Sequence, residues 1–332
     1  MSKEISKDTY KKAYSLMCIA RAMSDIFEEN KEITSKYVHA TSKGHEAIQL
    51  AVGLQLTKND WAAPYYRDDS MLLGIGITPY ELMLQLLCKK DDPFSGGRTY
   101  YSHPSLKREG FPKIPHQSSA TGMQAIPTTG VAMGIQYQEN EKLTNPKKGD
   151  EPVVVCSLGD ASITEGEVAE AFQMAALKKL PILYLIQDNE WDISAHASET
   201  RAVDATHYAK GFGLKTFTID GTNFTSSYTC INEAFKEIRK NRSPIIVHAK
   251  VPLLNHHTSG VRMEWYRDDL EQSRARDPFP KLKKEILQQG INNSEIEKIE
   301  QSAQNIVKAD YQRALNAKDP EPADIFTHNF AP

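Results

Sequence analysis

Residues 153–194, VVVCSLGDASITEGEVAEAFQMAALKKLPILYLIQDNEWDIS, decide the fold because they predict two buried strands joined by a helix. The apolar runs VVVCSL and PILYLIQ predict strands over 153–158 and 182–187, since such runs are typical of parallel strands covered on both faces. The stretch between them predicts a helix over 165–178, opened by a capping box of Thr164 and Glu167. A strand, a helix and a second strand in this order indicate a parallel sheet.

The same alternation continues towards the C-terminus. Further segments extend the pattern, with helices over 204–212 and 227–240 and strands over 214–219 and 244–250. The sequence therefore predicts the α/β class, a parallel sheet with helices on both faces.

The flanking segments predict helices at both ends of the chain. On the N-terminal side we expect a helix over 8–29, another from Gly44 to Leu56, a short strand or loop over 61–67, a helix over 79–89, a loop over 91–118 and a helix over 119–138 broken near Pro127. On the C-terminal side we expect helices over 279–289 and 294–316 and a Pro-rich tail that forms an arm or linker. We predict a helical arm over 1–40, the α/β domain over 41–275, and C-terminal helices with the tail over 276–332.

Composition excludes several kinds of protein. The 332 residues carry a net charge of -3, so no basic field favours nucleic acid or an acidic membrane surface. No apolar run approaches the length of a membrane span, and the first residues lack the apolar core of a signal peptide. The four cysteines are far apart and form no CxxC pair, which argues against a zinc or iron–sulfur site and suits a reducing cytoplasm.

An acid and an amide each follow one of the two predicted strands of the opening stretch. Asp160 comes after the first strand and Asn189 after the second, so both can face the crevice at the carboxyl edge of the sheet. Carboxylate and amide oxygens suit Mg²⁺, and the free N–H groups at the start of the intervening helix suit a phosphate. Either element alone is also ordinary turn chemistry. The ordered pair favours a metal–diphosphate site.

These residues resemble the signature of thiamine-diphosphate enzymes, a GDG motif followed further along by an Asn pair. The longer stretch GDASITEGEVAEAFQMAALKKLPILYLIQDNEWDIS is similar to the alpha subunit, or alpha half, of the decarboxylating component of 2-oxo acid dehydrogenases. The resemblance runs from about Gly44 to about Asp268.

The resemblance implies a thiamine-diphosphate-binding fold and a set of cofactor contacts. Asp160 and Asn189 would hold Mg²⁺ through their side chains, with the backbone carbonyl of Trp191 as a third ligand. Other implied contacts to the cofactor, mostly to its diphosphate, come from Tyr66, Arg67, Ala161, Ser162 and Gln187.

Two further segments carry implied site residues. QSSATGMQ, residues 117–124, matches the segment that contacts the aminopyrimidine, with Ser119 and Thr121 as the positions of interest. His257 matches a loop histidine near the diphosphate and substrate, where it would orient the cofactor or assist proton transfer as a catalytic residue. His39 is a further candidate near a substrate pocket, and a solvent-facing or structural role is the alternative for both histidines.

The sequence also departs from the family pattern. Ala161 replaces the last Gly of GDG, Asp188 replaces the first Asn of the pair, and Gln187 stands where some members carry an Arg. Residues typical of a monovalent-cation site are absent from 117–124, so we do not predict that ion. The acidic residues that commonly follow the histidine loop are absent from TSGVRM, which argues against kinase control at Thr258 or Ser259.

The resemblance implies oxidative decarboxylation of a 2-oxo acid with acyl transfer to the lipoyl group of a partner acyltransferase. A beta subunit, or fused beta half, would supply the activating Glu, and an α₂β₂ assembly is expected. The QSSATGMQ segment favours branched-chain over pyruvate-type members. Pyruvate or acetoin dehydrogenase, a transketolase amino-terminal half and a non-catalytic regulatory or assembly subunit are the alternatives.

Overall fold

A parallel sheet organises the protein, whose computed structural model describes residues 5–327. The first four residues of the predicted arm and the last five of the predicted tail lie outside this range. The strands are β1 Trp61–Ala63, β2 Val154–Gly159, β3 Ile182–Asp188, β4 Trp191–Asp192, β5 Ala195–His196, β6 Lys215–Asp220 and β7 Ile245–Lys250. Within residues 5–327 the large sheet has the order β1-β2-β3-β7-β6 with every pair parallel, and β4 and β5 form a separate hairpin.

Helices account for most of the remaining chain. They are α1 Lys7–Glu29, α2 Lys31–Thr34, α3 Glu46–Gly53, α4 Asp69–Ile75, α5 Pro79–Leu86, α6 Ala125–Asn140, α7 Gly166–Lys178, α8 Ala197–Thr200, α9 Ala205–Gly211, α10 Phe224–Asn241, α11 Leu270–Ala275, α12 Pro278–Gln288 and α13 Asn293–Leu315. Among residues 5–327, no helix is both long and apolar enough to cross a membrane.

Alternate residues of the central strands point to opposite faces of the sheet. Val153 and Val155 lie in an apolar core that also contains residues of α1, α3, α10 and α13. Val154 and Cys156 lie in a second core with residues of α6, α7 and α9. Helices therefore cover both faces, as predicted from the continuous apolar runs.

The helix starts include two corrections. The capping box predicted at Thr164 and Glu167 is wrong, because Thr164 lies in a 3₁₀ turn over Ala161–Thr164 and donates to the carbonyl of Ala161 at 2.9 Å. The helix predicted from Ser119 begins only at Ala125, and Pro127 does not break it. Pro127 sits in the first turn, where a missing backbone N–H removes no intrahelical hydrogen bond.

Helix α4 is not apparent from the sequence pattern. Its Gly74 meets Gly53 of α3 so closely that a Cβ on Gly53 would stand 2.4 Å from the carbonyl oxygen of Met71. The two glycines let the helix backbones touch, which a side chain at either position would prevent.

Both ends of the described chain pack onto its body. Side chains of α1 share the core that contains α13 and the sheet, so the division at residue 40 stays a prediction. Near the C-terminus, Lys90 pairs with Asp324 at 2.9 Å and Lys89 with Asp319 at 2.8 Å. The part of the predicted arm or linker up to Thr327 thus lies against the loop that follows α5.

Candidate active site

A cavity of about 340 Å³ lies at the carboxyl edge of the sheet. The predicted residues Tyr66, Ser119, Thr121, Asp160, Ala161, Ser162, Asn189, Trp191 and His257 line it, together with His39. They come from separate segments because β1, β2, β3 and β7 all end at this edge, followed by Tyr66, Asp160, Asn189 and His257 in turn. The topology thus gathers residues that are far apart in sequence into one crevice.

Asp160 and Asp188 share one cation, Arg201, whose side chain is 8% exposed. Its Nη1 lies 3.1 Å from an Asp160 oxygen and its Nη2 donates to Asp188 at 2.7 Å. His248 Nε2 donates to the other Asp188 oxygen at 2.7 Å. Both Asp188 oxygens are therefore bound by Arg201 and His248, and Asp188 does not line the cavity. These two partners explain why an acid can stand at the position where the family pattern has Asn.

The two carboxyl groups differ in proton affinity. Burial, followed by repulsion from Asp188, raises the pKa of Asp160 despite the opposing charge of Arg201. Burial would raise the pKa of Asp188 as well, but hydrogen bonds from His248 and Arg201 outweigh it and hold that pKa below its usual range. Asp160 lines the cavity, so a cation bound there would compete with the proton for its carboxyl group.

Arg67 lies behind Tyr66 and is 1% exposed. Its Nη2 donates to the His257 carbonyl at 3.1 Å, and its guanidinium stands 5.2 Å from the Tyr66 ring centre. Among residues 5–327, Arg67 Nε and Nη1 have no hydrogen-bond partner. A buried guanidinium with free donors is costly unless an anion binds it, so this site fits a diphosphate.

His257 faces the same cavity and is neutral at physiological pH. Burial, assisted by the nearby charge of Arg67, lowers the pKa of His257 to about 3. Its Nε2 lies 3.5 Å from the Tyr66 hydroxyl, and its Nδ1 has no partner in the part of the chain that the structure describes. A neutral imidazole with an open nitrogen can give or accept a hydrogen bond to a bound group.

The turn before α6 is tied to the end of β2. Gln124 Nε2 donates to the Ser157 carbonyl at 2.9 Å. This contact holds Ser119 and Thr121 against the cavity beside Ser162. Because the segment is a turn and not a helix, its backbone groups are not committed to helical hydrogen bonds.

Gln187 lies behind the cavity and does not line it. It is fully buried, and its amide donates to Asp68 at 2.7 Å and to Ser157 at 2.9 Å. Its oxygen accepts from His45 and Gln49, both at 2.9 Å. Both polar atoms of the Gln187 side chain are therefore hydrogen-bonded to protein groups. This geometry does not favour the predicted direct contact between Gln187 and the cofactor.

Sequence reasoning missed much of the cavity wall. Further lining residues come from the segment before α3, from the turn after β1, from the loop after α5 and from the β4 region, namely Val38, Tyr65, Tyr100, Tyr101, His103, Asp192 and Ile193. The aromatic and histidine cluster YYSH, residues 100–103, was the available signal within the long loop.

Across residues 5–327, no group of three or more His, Cys, Asp or Glu side chains is arranged to hold a metal. The metal site predicted here is of another kind, with one carboxylate, one amide and one backbone carbonyl.

Comparison with known proteins identifies the family. Residues 14–323 match the family described as dehydrogenase E1 component. The chain belongs to this family. It is 27% identical to the pyruvate dehydrogenase E1 component subunit alpha of Rickettsia bellii, over 86% of this chain and 84% of that protein. It is 25% identical to the 3-methyl-2-oxobutanoate dehydrogenase subunit alpha of Mycobacterium tuberculosis, over 99% of this chain and 84% of that protein. It is also 25% identical to the 2-oxoisovalerate dehydrogenase subunit alpha of Bacillus subtilis, over 77% of this chain and 74% of that protein.

These likenesses establish an alpha subunit of a 2-oxo acid dehydrogenase E1 component, an oxidoreductase. Membership implies thiamine diphosphate as cofactor and an E1 beta subunit as partner. Membership in this family also argues against two of the alternative functions, a transketolase amino-terminal half and a non-catalytic subunit. The named relatives are divided between pyruvate and branched-chain types at similar identity.

Proposed function

We propose that this E1 alpha subunit binds the diphosphate of thiamine diphosphate through Mg²⁺ and acts on branched-chain 2-oxo acids. The observation that carries the cofactor site is that Asp160 and Asn189 line one cavity at the edge of the sheet, while Arg67, behind Tyr66, has two guanidinium nitrogens without a partner among residues 5–327. A carboxylate beside an anion site needs a cation between them, and Mg²⁺ meets that need.

The chain's own residues would divide the task of holding the cofactor. Asp160, Asn189 and the carbonyl of Trp191 would ligate Mg²⁺, while Tyr66 and Arg67 would bind the diphosphate. Ala161 and Ser162 would present backbone groups to the same phosphates. Thiamine diphosphate supplies the electron sink that allows a 2-oxo acid to lose CO₂. Metal binding at Asp160 would compete with its proton and with Arg201, which lies 3.1 Å from it.

His257 would serve near the reacting end of the site. With its pKa lowered to about 3 by burial and by Arg67, it would act as a neutral hydrogen-bonding group, and it would carry a proton during acyl transfer only when a bound diphosphate offsets the charge of Arg67. Ser119 and Thr121, in the turn before α6, would contact the aminopyrimidine through backbone groups.

Exposed apolar side chains at the mouth of the cavity favour both a branched-chain substrate and a beta subunit as partner. Val38, Tyr100 and Ile193 line it and are 61%, 55% and 47% exposed. An apolar rim suits an aliphatic acyl chain better than the single methyl group of pyruvate, which is the second candidate. The same exposed apolar groups would be covered by the beta subunit, which would close the site and supply the activating Glu.

We further propose an α₂β₂ assembly in the cytoplasm that passes its acyl group to the lipoyl group of an acyltransferase. The chain would contact neither nucleic acid nor membrane. The division into residues 1–40, 41–275 and 276–332 is retained as part of this proposal.

A turnover panel tests this function. The chain, with and without its beta partner, is supplied with thiamine diphosphate, Mg²⁺, an artificial electron acceptor and a series of 2-oxo acids. We expect turnover only with the beta partner, and a higher kcat/KM for branched-chain acids than for pyruvate. Full decarboxylation by the chain alone would refute the shared site, and a preference for pyruvate would refute the substrate assignment.

A further inference from the structure

A buried hydrogen-bond chain runs behind the cavity and ends on Asn189. His45 and Gln187 are fully buried, with His45 Nδ1 2.9 Å from Gln187 Oε1. His45 Nε2 lies 3.3 Å from Asn189 Nδ2. On the other side, Gln187 Nε2 lies 2.7 Å from an Asp68 oxygen. None of Asp68, Gln187 and His45 lines the cavity, yet Asn189 at the end of the chain does.

The direction of every hydrogen bond follows from its neighbours. Asp68 accepts from the Tyr65 backbone N–H at 3.0 Å and from Gln187, which places the NH₂ group of Gln187 towards Asp68. Gln187 Oε1 must then accept, so His45 carries its proton on Nδ1. A neutral imidazole protonated on Nδ1 leaves Nε2 as an acceptor, and Nε2 receives the NH₂ group of Asn189.

This chain and the Trp191 backbone N–H together fix which way the Asn189 amide faces. With its NH₂ group donated to His45, the Asn189 oxygen accepts from the Trp191 N–H at 3.0 Å and keeps a second lone pair. The reverse rotamer would place an NH₂ group, which cannot ligate a metal, where that oxygen stands.

We infer that His45 is a positioning residue that aims the side-chain oxygen of Asn189 at the metal, and that Gln187 fixes the required tautomer of His45. This inference rests on the proposed function, since it concerns the Mg²⁺ ligand assigned there. It also gives Gln187 a role in the site without a direct contact to the cofactor. Groups that orient a metal ligand commonly change metal affinity by about 10–100-fold when they are removed.

Metal-dependent cofactor binding tests the inference without relying on turnover. Thiamine diphosphate binding to the assembled protein is measured by calorimetry across a Mg²⁺ titration, and thermal unfolding is recorded for each variant. We expect His45→Leu to raise the Mg²⁺ concentration at half-saturation by about 10–100-fold. His45→Gln offers one donor and one acceptor in a similar position and should recover most of that loss.

A matched control comes from a polar side chain in the turn that follows α3, at the opposite end of this helix from His45. Gln55 donates to the Ala51 carbonyl at 2.8 Å and to the Tyr228 carbonyl at 3.0 Å, and it does not line the cavity. Gln55→Leu should lower thermal stability without moving the Mg²⁺ half-saturation.

The outcomes separate this inference from the proposed function. An unchanged half-saturation in His45→Leu, an equal loss in His45→Gln, or an equal shift in Gln55→Leu would overturn the positioning role. Absence of Mg²⁺-dependent binding in the unaltered protein would overturn the proposed function itself.

Discussion

Replacing Arg67 by methionine should change stability and cofactor binding in opposite directions. The guanidinium is 1% exposed, donates to the His257 carbonyl, and has two nitrogens without partners among residues 5–327. Methionine keeps much of the apolar bulk of the side chain and removes the charge and every donor.

The expected magnitudes follow from these contacts. Each unpaired buried donor costs about 1–3 kcal/mol, and the lost hydrogen bond and Tyr66 contact offset part of the gain. The cofactor-free Arg67→Met protein should therefore be more stable by about 1–4 kcal/mol. Two hydrogen bonds from a charged group to the diphosphate would be worth about 3–6 kcal/mol, so thiamine diphosphate affinity should fall on the order of 10²–10⁴-fold.

Two measurements on the same samples check the prediction. Urea unfolding without cofactor gives the stability difference, and calorimetry with thiamine diphosphate and Mg²⁺ gives the affinity. Arg67→Lys is the matched control, since it keeps the charge but not the bidentate fork, and should give intermediate affinity. If the Arg67→Met protein binds the cofactor as tightly as the unaltered protein, Arg67 does not bind the diphosphate and the prediction is wrong, whatever the stability of the variant.

The remaining predictions concern three ionisable side chains. Asp160→Ala should abolish Mg²⁺-dependent binding of thiamine diphosphate in calorimetry, and unchanged affinity would refute the ligand assignment. Arg201→Gln should lower the Mg²⁺ concentration at half-saturation, because it removes a cation that lies 3.1 Å from Asp160, and a higher half-saturation would contradict this. Burial raises the pKa of Asp69 from 3.8 to about 7. The contribution of Asp69 to the free energy of unfolding is therefore fully present below about pH 4 and is lost as the pH rises through 7. Asp69→Asn should therefore be more stable than the unaltered protein at pH 8, by up to about 4 kcal/mol in urea unfolding, and identical pH profiles for the two proteins would exclude this effect.

The sheet and the cavity were predictable because they depend on local patterns. Apolar runs mark β2, β3 and β7, and the edge where parallel strands end determines that Asp160 and Asn189 meet. The conformation of 117–124 was less predictable, since its small residues suit a helix as well as the turn that the Gln124 contact with Ser157 stabilises.

The role of individual polar residues depends on partners that sequence does not show. Gln187 follows an apolar strand towards the site, as a cofactor contact would, yet His45 and Asp68 occupy its amide. Asp188 similarly depends on Arg201, 13 residues further along the chain, and on His248, 60 residues further along. Such assignments need the tertiary structure because the sequence pattern does not show which side chains will compete as partners.

A crystal structure of the assembled protein with thiamine diphosphate and Mn²⁺ in place of Mg²⁺ tests the central claim most directly. Anomalous scattering locates the metal independently of any assumed ligand. We predict one peak at about 2.1 Å from an Asp160 oxygen, the Asn189 side-chain oxygen and the Trp191 carbonyl oxygen, with diphosphate oxygens and water completing the shell. A cofactor bound without metal there, or a peak away from Asp160 and Asn189, would contradict the account.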